Sequence, residues 1–313
     1  MSFETDLLID RRRLKRRLFF WRLAAVGAVA GCVLLAIAPH VSLGGRHHQA
    51  RHLARLTVSG LITENRDLIE AVIALAKNDA VRGLIVYVDS PGGSVAGGES
   101  LHDAISQVAA RKPVVTVMGG TAASAGYMIA VPAARIFARE STLTGSIGVL
   151  LQTGEVSGLL ERIGVTAEAI VSGPLKNQPS PTHPTSPQGR EMLQALVMDM
   201  YDQFVGMVAA GRHMPAEQVR KLGDGRPYTG RQALGLGLVD AIGGEPDARA
   251  WLAAEKGIAE SLPVEDVRPD GLARWTLAWS LSPIFDGLLK TVLSQGLRLD
   301  GAWAIWQPST SSD

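Results

Sequence analysis

Apolar residues fall along this chain in three rhythms. From Leu23 to Gly45 the segment LAAVGAVAGCVLLAIAPHVSLGG runs for 23 residues without Lys, Arg, Asp or Glu. From about residue 54, short apolar runs alternate with stretches whose apolar residues recur at helical spacing, which predicts alternating strands and helices. Beyond Trp251 the tail, with WTLAWSLSPIFDGLLKTVLSQGL, is again apolar but is broken by Pro283, Asp286 and Lys290.

In the middle part, ARLTVSGLI predicts a strand and LIEAVIALAKND an amphipathic helix. VRGLIVYVDS predicts a second strand, whose near-continuous apolar run suits a sheet covered on both faces. SPGGS is expected to turn the chain into a helix carrying Leu101, Ala104, Ile105 and Val108. PVVTVMGG predicts a third strand and TAASAGYMIAVPAA a helix of small residues. RIFARE and TLTGSIGVL add short strands, GEVSGLLERIG a helix and AEAIVSG one more strand. The stretch PLKNQPSPTHPTSPQ holds five Pro and must be a loop, and a long loop inside a domain is usually functional or mobile. A long amphipathic helix from about Gly189 to Ala210 follows, and DGRPYTGRQALGLGLVDAIGG closes the β–α part near residue 244. No internal repeat is present.

The first apolar stretch gains meaning from its flank. Arg11, Arg12, Arg13, Lys15, Arg16, Arg17 and Arg22 precede it, with Phe19, Phe20 and Trp21 at the boundary. At helical rise its length is roughly 35 Å, enough to cross a hydrocarbon core of about 30 Å. The downstream flank has fewer basic residues, so the positive-inside rule puts the N-terminus in the cytoplasm and the bulk of the chain outside it. A cleaved signal peptide shares these features, with Ala36-Ile37-Ala38 as its exit, but Pro39 would follow the cut. A buried core helix does not account for the charged flank. The expected layout is a basic cytoplasmic segment at 1–22, a transmembrane anchor at 23–45 and a linker at 46–53. A catalytic domain at 54–260 and a C-terminal extension at 261–313 follow. The extension reads as a packing arm or an interfacial amphipathic helix.

Composition narrows the function classes. Net charge is +1, so no global field points to nucleic acid. The single cysteine, Cys32, lies in the apolar span and excludes an intramolecular disulfide and any Cys-based metal site. His48 and His52 have i, i+4 spacing but lie in the linker with no Glu between them for a zinc protease motif. No metal and no cofactor is expected.

Two small-residue turns can carry chemistry. Asp89-Ser90-Pro91-Gly92-Gly93-Ser94 follows a strand and opens a helix, where glycines let backbone N–H groups face outwards. It lacks both phosphate-loop patterns. An oxyanion hole needs the same geometry, and a purely structural turn fits equally well. In Thr121-Ala122-Ala123-Ser124-Ala125-Gly126-Tyr127, the serine has little steric cover; nucleophile and helix cap are both open readings. As partners, His183 sits in the Pro-rich loop and neither it nor His213 is on a strand end, while His102 lies on the helix after the glycine turn. Lys176 emerges from the AEAIVSG segment, either as an ordinary surface lysine or as a base. A lysine works as a base near neutral pH only if its ammonium is destabilised from about 10.4 to about 7–8, a cost of about 4 kcal/mol met mostly by burial.

SPGGS, TAASAGY, TGSIGV, SGPLK and DGRPYTGRQALGLGLVD occur in that order between about Leu56 and Gly244. In this the chain resembles the S49 serine peptidases of the signal peptide peptidase A type, in their short form, since each motif occurs once. The resemblance implies an α/β fold of the Clp-protease/crotonase kind, built from repeated β-β-α units, behind an N-terminal transmembrane helix. It implies Ser124 as nucleophile, Lys176 as general base and Ser146 as the residue orienting the lysine. The oxyanion hole would use the backbone N–H of Gly92 or Gly93 with that of Ala125. It further implies a homo-oligomeric ring, octameric for the short form, that cleaves remnant signal peptides at the extracytoplasmic face of a bacterial inner membrane. Ala125 stands where the family usually has Gly, and Asn177 where an acidic residue is frequent. A Clp-type soluble peptidase would need His where this chain has Val149, and an acyl-CoA enzyme would need carboxylates and a CoA groove. A non-catalytic scaffold leaves the motif positions of Ser124, Ser146 and Lys176 unexplained.

Overall fold

The computed structural model describes residues 50–268 and a short strand at 303–305. The basic segment, the apolar span at 23–45 and the broken apolar tail at 275–297 lie outside the described residues. Among the described residues no helix is long and apolar enough to cross a membrane.

The chain opens with β1 (His52–Ile62), α1 (Arg66–Leu75), β2 (Val81–Ser94), α2 (Val95–Ala109) and β3 (Val114–Ala123). A single helical turn, α3 (Ala125–Met128), leads to β4 (Arg135–Ala138) and β5 (Leu143–Gly145). Next come α4 (Ser157–Arg162), α5 (Pro187–Arg212), α6 (Ala216–Leu222), β6 (Pro227–Thr229) and α7 (Gly230–Gly235). β7 (Ala241–Ile242), α8 (Glu245–Lys256), β8 (Val264–Asp266) and β9 (Trp303–Ile305) complete it.

The strands form one sheet with the order β6-β5-β3-β2-β1-β8. β3 is shared: its first half pairs with β4 through Val115–Val117 and its second half with β5 through Thr121–Ala123. Pairing is parallel except for β5 with β6 and β2 with β9. This is the expected α/β class, and the apolar run of β2 behaves as its pattern requires. Leu84, Ile85, Val86 and Val88 are all fully buried. Leu84, Val86 and Val88 join α1 and α2 in the main core, while Ile85 faces Ala248 and Leu252 of α8 on the other side. Helix α1 is capped by the Asn65 side chain accepting from Leu68 N–H, and α2 by Ser94 accepting from Gly97 N–H.

Four expectations need correction. SPGGS is not a turn: β2 continues through it to Ser94, with Leu61 opposite Gly92 and Ile62 opposite Gly93. Gly93 makes this possible, since a Cβ there would stand 1.8 Å from Ile62 O. The small-residue helix is shorter than expected, because β3 runs on to Ala123 and only Ala125–Met128 is helical. AEAIVSG forms no strand. It has β-forming residues but no neighbouring strand to pair with, and Ile170 is left 97% exposed. Of TLTGSIGVL only Leu143–Gly145 joins the sheet. β1 begins at His52, and its Leu53 lies opposite Val264 of β8, so residues placed by sequence in the linker and the extension lie side by side in the sheet.

Candidate active site

Ser124 stands at the junction of β3 and α3, where the chain passes from strand to helix in one residue. That change of direction is taken up in its own backbone, at φ 55 and ψ −121. A positive φ in a non-glycine residue costs about 1–3 kcal/mol and persists only where the surroundings impose it. Here they do so from both sides. The Ser124 N–H donates to Gly145 O at 2.9 Å, fixing it to the end of β5. Its carbonyl accepts from Tyr127 N–H and Met128 N–H, both at 2.9 Å. The side chain makes no capping hydrogen bond, so the helix is held by the Ser124 backbone and the hydroxyl is uncommitted among the described residues. The residue as a whole is only 1% exposed.

The elements around Ser124 are tied down in turn. Thr144 Oγ1 donates to Ala122 O at 2.8 Å and Thr142 Oγ1 to Gly119 O at 2.7 Å, binding β5 to β3 by side chains as well as backbone. Behind α3, the buried Tyr127 hydroxyl donates to Leu238 O at 2.8 Å. Burial pushes the Tyr127 phenol well above its ordinary range, opposed by nearby Arg212 and assisted by Asp240, so it stays a donor. Arg212, at the end of α5, forks onto Asp240 at 3.0 and 2.5 Å and reaches Gly237 O at 3.0 Å. Asp240 also accepts from Ile136 N–H of β4 at 2.8 Å.

The Gly-rich end of β2 lies against α3. A Cβ on Gly126 would come within 2.9 Å of Ser90 O, and one on Gly98 within 3.0 Å of Ala125 Cβ. Ser90 Oγ donates to Gly60 O at 2.6 Å and accepts from Gly92 N–H at 3.1 Å. The Gly92 N–H is therefore committed inside the fold.

Ser146 follows Gly145, and both have positive φ, at 49 and 74. Its N–H donates to Arg226 O at 3.1 Å and its hydroxyl to Gly225 O at 3.2 Å. Ser124 and Ser146 are thus brought together through Gly145. Lys176 is not joined to them. It is exposed, its backbone N–H donates to Gly173 O at 3.1 Å, and among the described residues its side chain makes no hydrogen bond or ion pair. The three histidines weighed as bases stand elsewhere: His102 pairs with Asp103, His183 with Thr182, and His213 ends α5.

A cavity of about 340 Å³ opens beside Ser146, lined by Val149, Leu150, Met198, Tyr201 and Gly225 among others. A larger one of about 460 Å³ shares Gln194 and Val197 with it but includes none of the candidate catalytic residues. Among the described residues no three His, Cys, Asp or Glu side chains gather as metal ligands. Sequence reasoning passed over Ser90, Thr144, Tyr127 and the Arg212–Asp240 pair. Ser90 and Tyr127 lie inside the quoted motifs, but nothing local indicated that their hydroxyls reach carbonyls 30 and 111 residues away.

Comparison with known proteins gives this arrangement a context. The profile of peptidase family S49 matches residues 106–259. A Synechocystis protein described as a protease is 38% identical over 70% of this chain and 81% of its own. The chain belongs to peptidase family S49. It is a serine peptidase. An Enterococcus faecium protein described as signal peptide peptidase SppA is 35% identical over 69% of this chain and 67% of its own. Protease 4 of Salmonella typhi is 40% identical over 54% of this S49 chain and 28% of that one.

Proposed function

We propose that this S49 peptidase is a membrane-anchored endopeptidase that cleaves remnant signal peptides and other apolar peptides with a Ser124–Lys176 dyad. It would work as a homo-oligomeric ring, of eight subunits in the short form, at the extracytoplasmic face of the bacterial inner membrane. The observation that carries the dyad's serine is the uncommitted hydroxyl of Ser124 on a backbone forced to positive φ at a strand–helix junction.

In this reading Lys176 Nζ takes the proton from Ser124 Oγ as the oxygen bonds to the substrate carbonyl carbon. The oxyanion so formed accepts from backbone N–H groups. Gly93 and Ala125 are the preferred donors, because the Gly92 N–H is already bound to Ser90 Oγ. The carbon–nitrogen bond then breaks, and the lysine ammonium returns its proton to the departing amine. Water hydrolyses the remaining ester by the same route. Ser146 orients the lysine by giving up its hydrogen bond to Gly225 O. The apolar cavity beside it suits an aliphatic side chain next to the scissile bond.

The exposed position of Lys176 fits a dyad that closes only on assembly. The segment that carries it also exposes Leu159, Ile163, Val165 and Ile170, at 60%, 63%, 48% and 97%. In a ring these residues would be covered, and the same contact would desolvate the lysine.

The decisive experiment compares Ser124→Ala and Lys176→Ala with the parent chain on an apolar peptide, with size-exclusion chromatography alongside. Both should lose cleavage while eluting as the parent does; activity retained in either rejects the dyad. The parent rate should rise with pH, since only a neutral amine accepts the serine proton. A flat profile counts against a lysine base.

A further inference from the structure

β2 and β3 fall out of step just before Ser124. Val88 lies opposite Met118, yet Ser90 lies opposite Ala122. One residue of β2, Asp89, therefore faces three of β3, namely Gly119, Gly120 and Thr121. At the same place β3 exchanges one neighbour for another: Val117 is opposite Phe137 of β4, and Thr121 is opposite Leu143 of β5. A bulge of this kind bends its strand and leaves ladder groups unpaired. Two side chains take up those groups here. Thr142 Oγ1 donates to Gly119 O at 2.7 Å, and Thr121 N–H donates to Asp89 Oδ1 at 3.0 Å. The glycines make room for the carboxylate, since a Cβ on Gly119 would stand 3.0 Å from Asp89 Cγ and 2.8 Å from the Tyr87 hydroxyl.

The bulge adds two residues, which preserves the alternation of faces: Met118 and Ala122 both lie in the main core. A slip by one residue would turn that face outwards and carry the following residues along the strand by about 3.3 Å. Ser124 is three residues beyond Thr121, so the bulge decides where it stands. A displacement of about 1 Å at a reacting atom is enough to cost about 100-fold in rate. We infer that Asp89 is a positioning residue: its carboxylate latches the bulge through Thr121 N–H and so sets the place at which β3 delivers Ser124. Asp89 acts through the backbone of β3 and does not itself touch the reacting atoms. The inference rests on the reading of Ser124 as nucleophile and adds to it a residue that aims it.

The test compares Asp89→Ala, Asp89→Asn and Ser124→Ala with the parent, all as full chains, on an apolar peptide. Asp89→Ala should lower kcat about 10- to 100-fold and leave KM within about twofold, because the nucleophile is displaced while the binding surface stays. Asp89→Asn, whose amide oxygen still accepts from Thr121 N–H, should recover most of that loss. In hydrogen exchange the Thr121 amide should exchange at least about tenfold faster in Asp89→Ala than in the parent, and near the parent rate in Asp89→Asn. If Asp89→Ala does not fold, Asp89→Glu takes its place; its acceptor is moved by one methylene, and kcat should fall by a smaller factor. Parental kcat in the Ala or Glu variant, or an Asn variant as slow as the Ala variant, overturns the inference. An inactive Ser124→Ala in the same series leaves the reading of Ser124 standing. An active Ser124→Ala overturns that reading, and a Thr121 amide loosened by Asp89→Ala then still upholds the latch.

Discussion

The two halves of the proposed dyad live in opposite surroundings. Ser124 is 1% exposed and its backbone is tied to β5 and to its own helix, which is anchored in turn through Tyr127. Lys176 lies in a stretch without a strand, between a six-residue helix with no buried residue and the N-terminus of α5. A nucleophile needs a fixed direction of attack, and a single chain supplies that fully. A lysine base needs burial, and a single chain does not supply that. For the proposed dyad, the contrast teaches that one requirement is met by folding and the other would fall to assembly or substrate.

The sharpest way to break this contrast is to delete each partner and measure rate and melting together. Ser124→Ala and Lys176→Ala should both lower kcat/KM by about 10⁴-fold. Lys176→Ala should leave the melting temperature unchanged, because its side chain has no partner among the described residues. A clear fall would mean the lysine is already engaged in the folded chain. Next in size is Gly93→Ala, whose methyl would overlap Ile62 O. It should cost about 3 kcal/mol or more by chemical denaturation, and a near-neutral result would show that the β1–β2 end is loose. Arg212→Ala removes one partner of a largely buried pair and should cost about 2–3 kcal/mol, read from the denaturation midpoint. Tyr127→Phe gives up one buried hydrogen bond, worth about 1 kcal/mol, or about 2–4 °C for a chain of this size. Smallest of all, Leu159→Ser should shift stability by less than about 0.5 kcal/mol in a dilute monomer. If it costs the assembled protein far more, the apolar flank of the lysine is an interface.

What the sequence made legible follows the same division. β2 and α2 could be read from apolar spacing, because both are buried against neighbours that the spacing itself implies. Ser124 and the Gly-rich end of β2 were found through small residues, which mark where backbones approach too closely for a Cβ. The SPGGS strand was misread as a turn, because Gly and Pro usually break strands; here glycine is what lets β2 pass Ile62. The AEAIVSG strand failed for the converse reason. Its residues favour a strand, but pairing is a property of two segments, and one sequence window holds only one of them. The carbonyl partners of Ser90 and Tyr127 were invisible for the same cause, lying 30 and 111 positions away.

The outer edge of β1 has a consequence for how the molecule is made. Its neighbour is β8, and the contact is fastened by Arg55 Nε donating to Asp266 Oδ1 at 2.8 Å across 211 positions. During synthesis β1 emerges early, while β8 follows only after every other helix and sheet strand up to residue 266 has left the ribosome. Closing so long a loop is slow relative to forming local β–α contacts, although its equilibrium cost grows only with the logarithm of length. Until then β1 presents an open, apolar strand edge to whatever is nearby. β8 thus also serves as a check on the fold: a chain cut short before Val264 would leave the outer edge of β1 open and ready to aggregate.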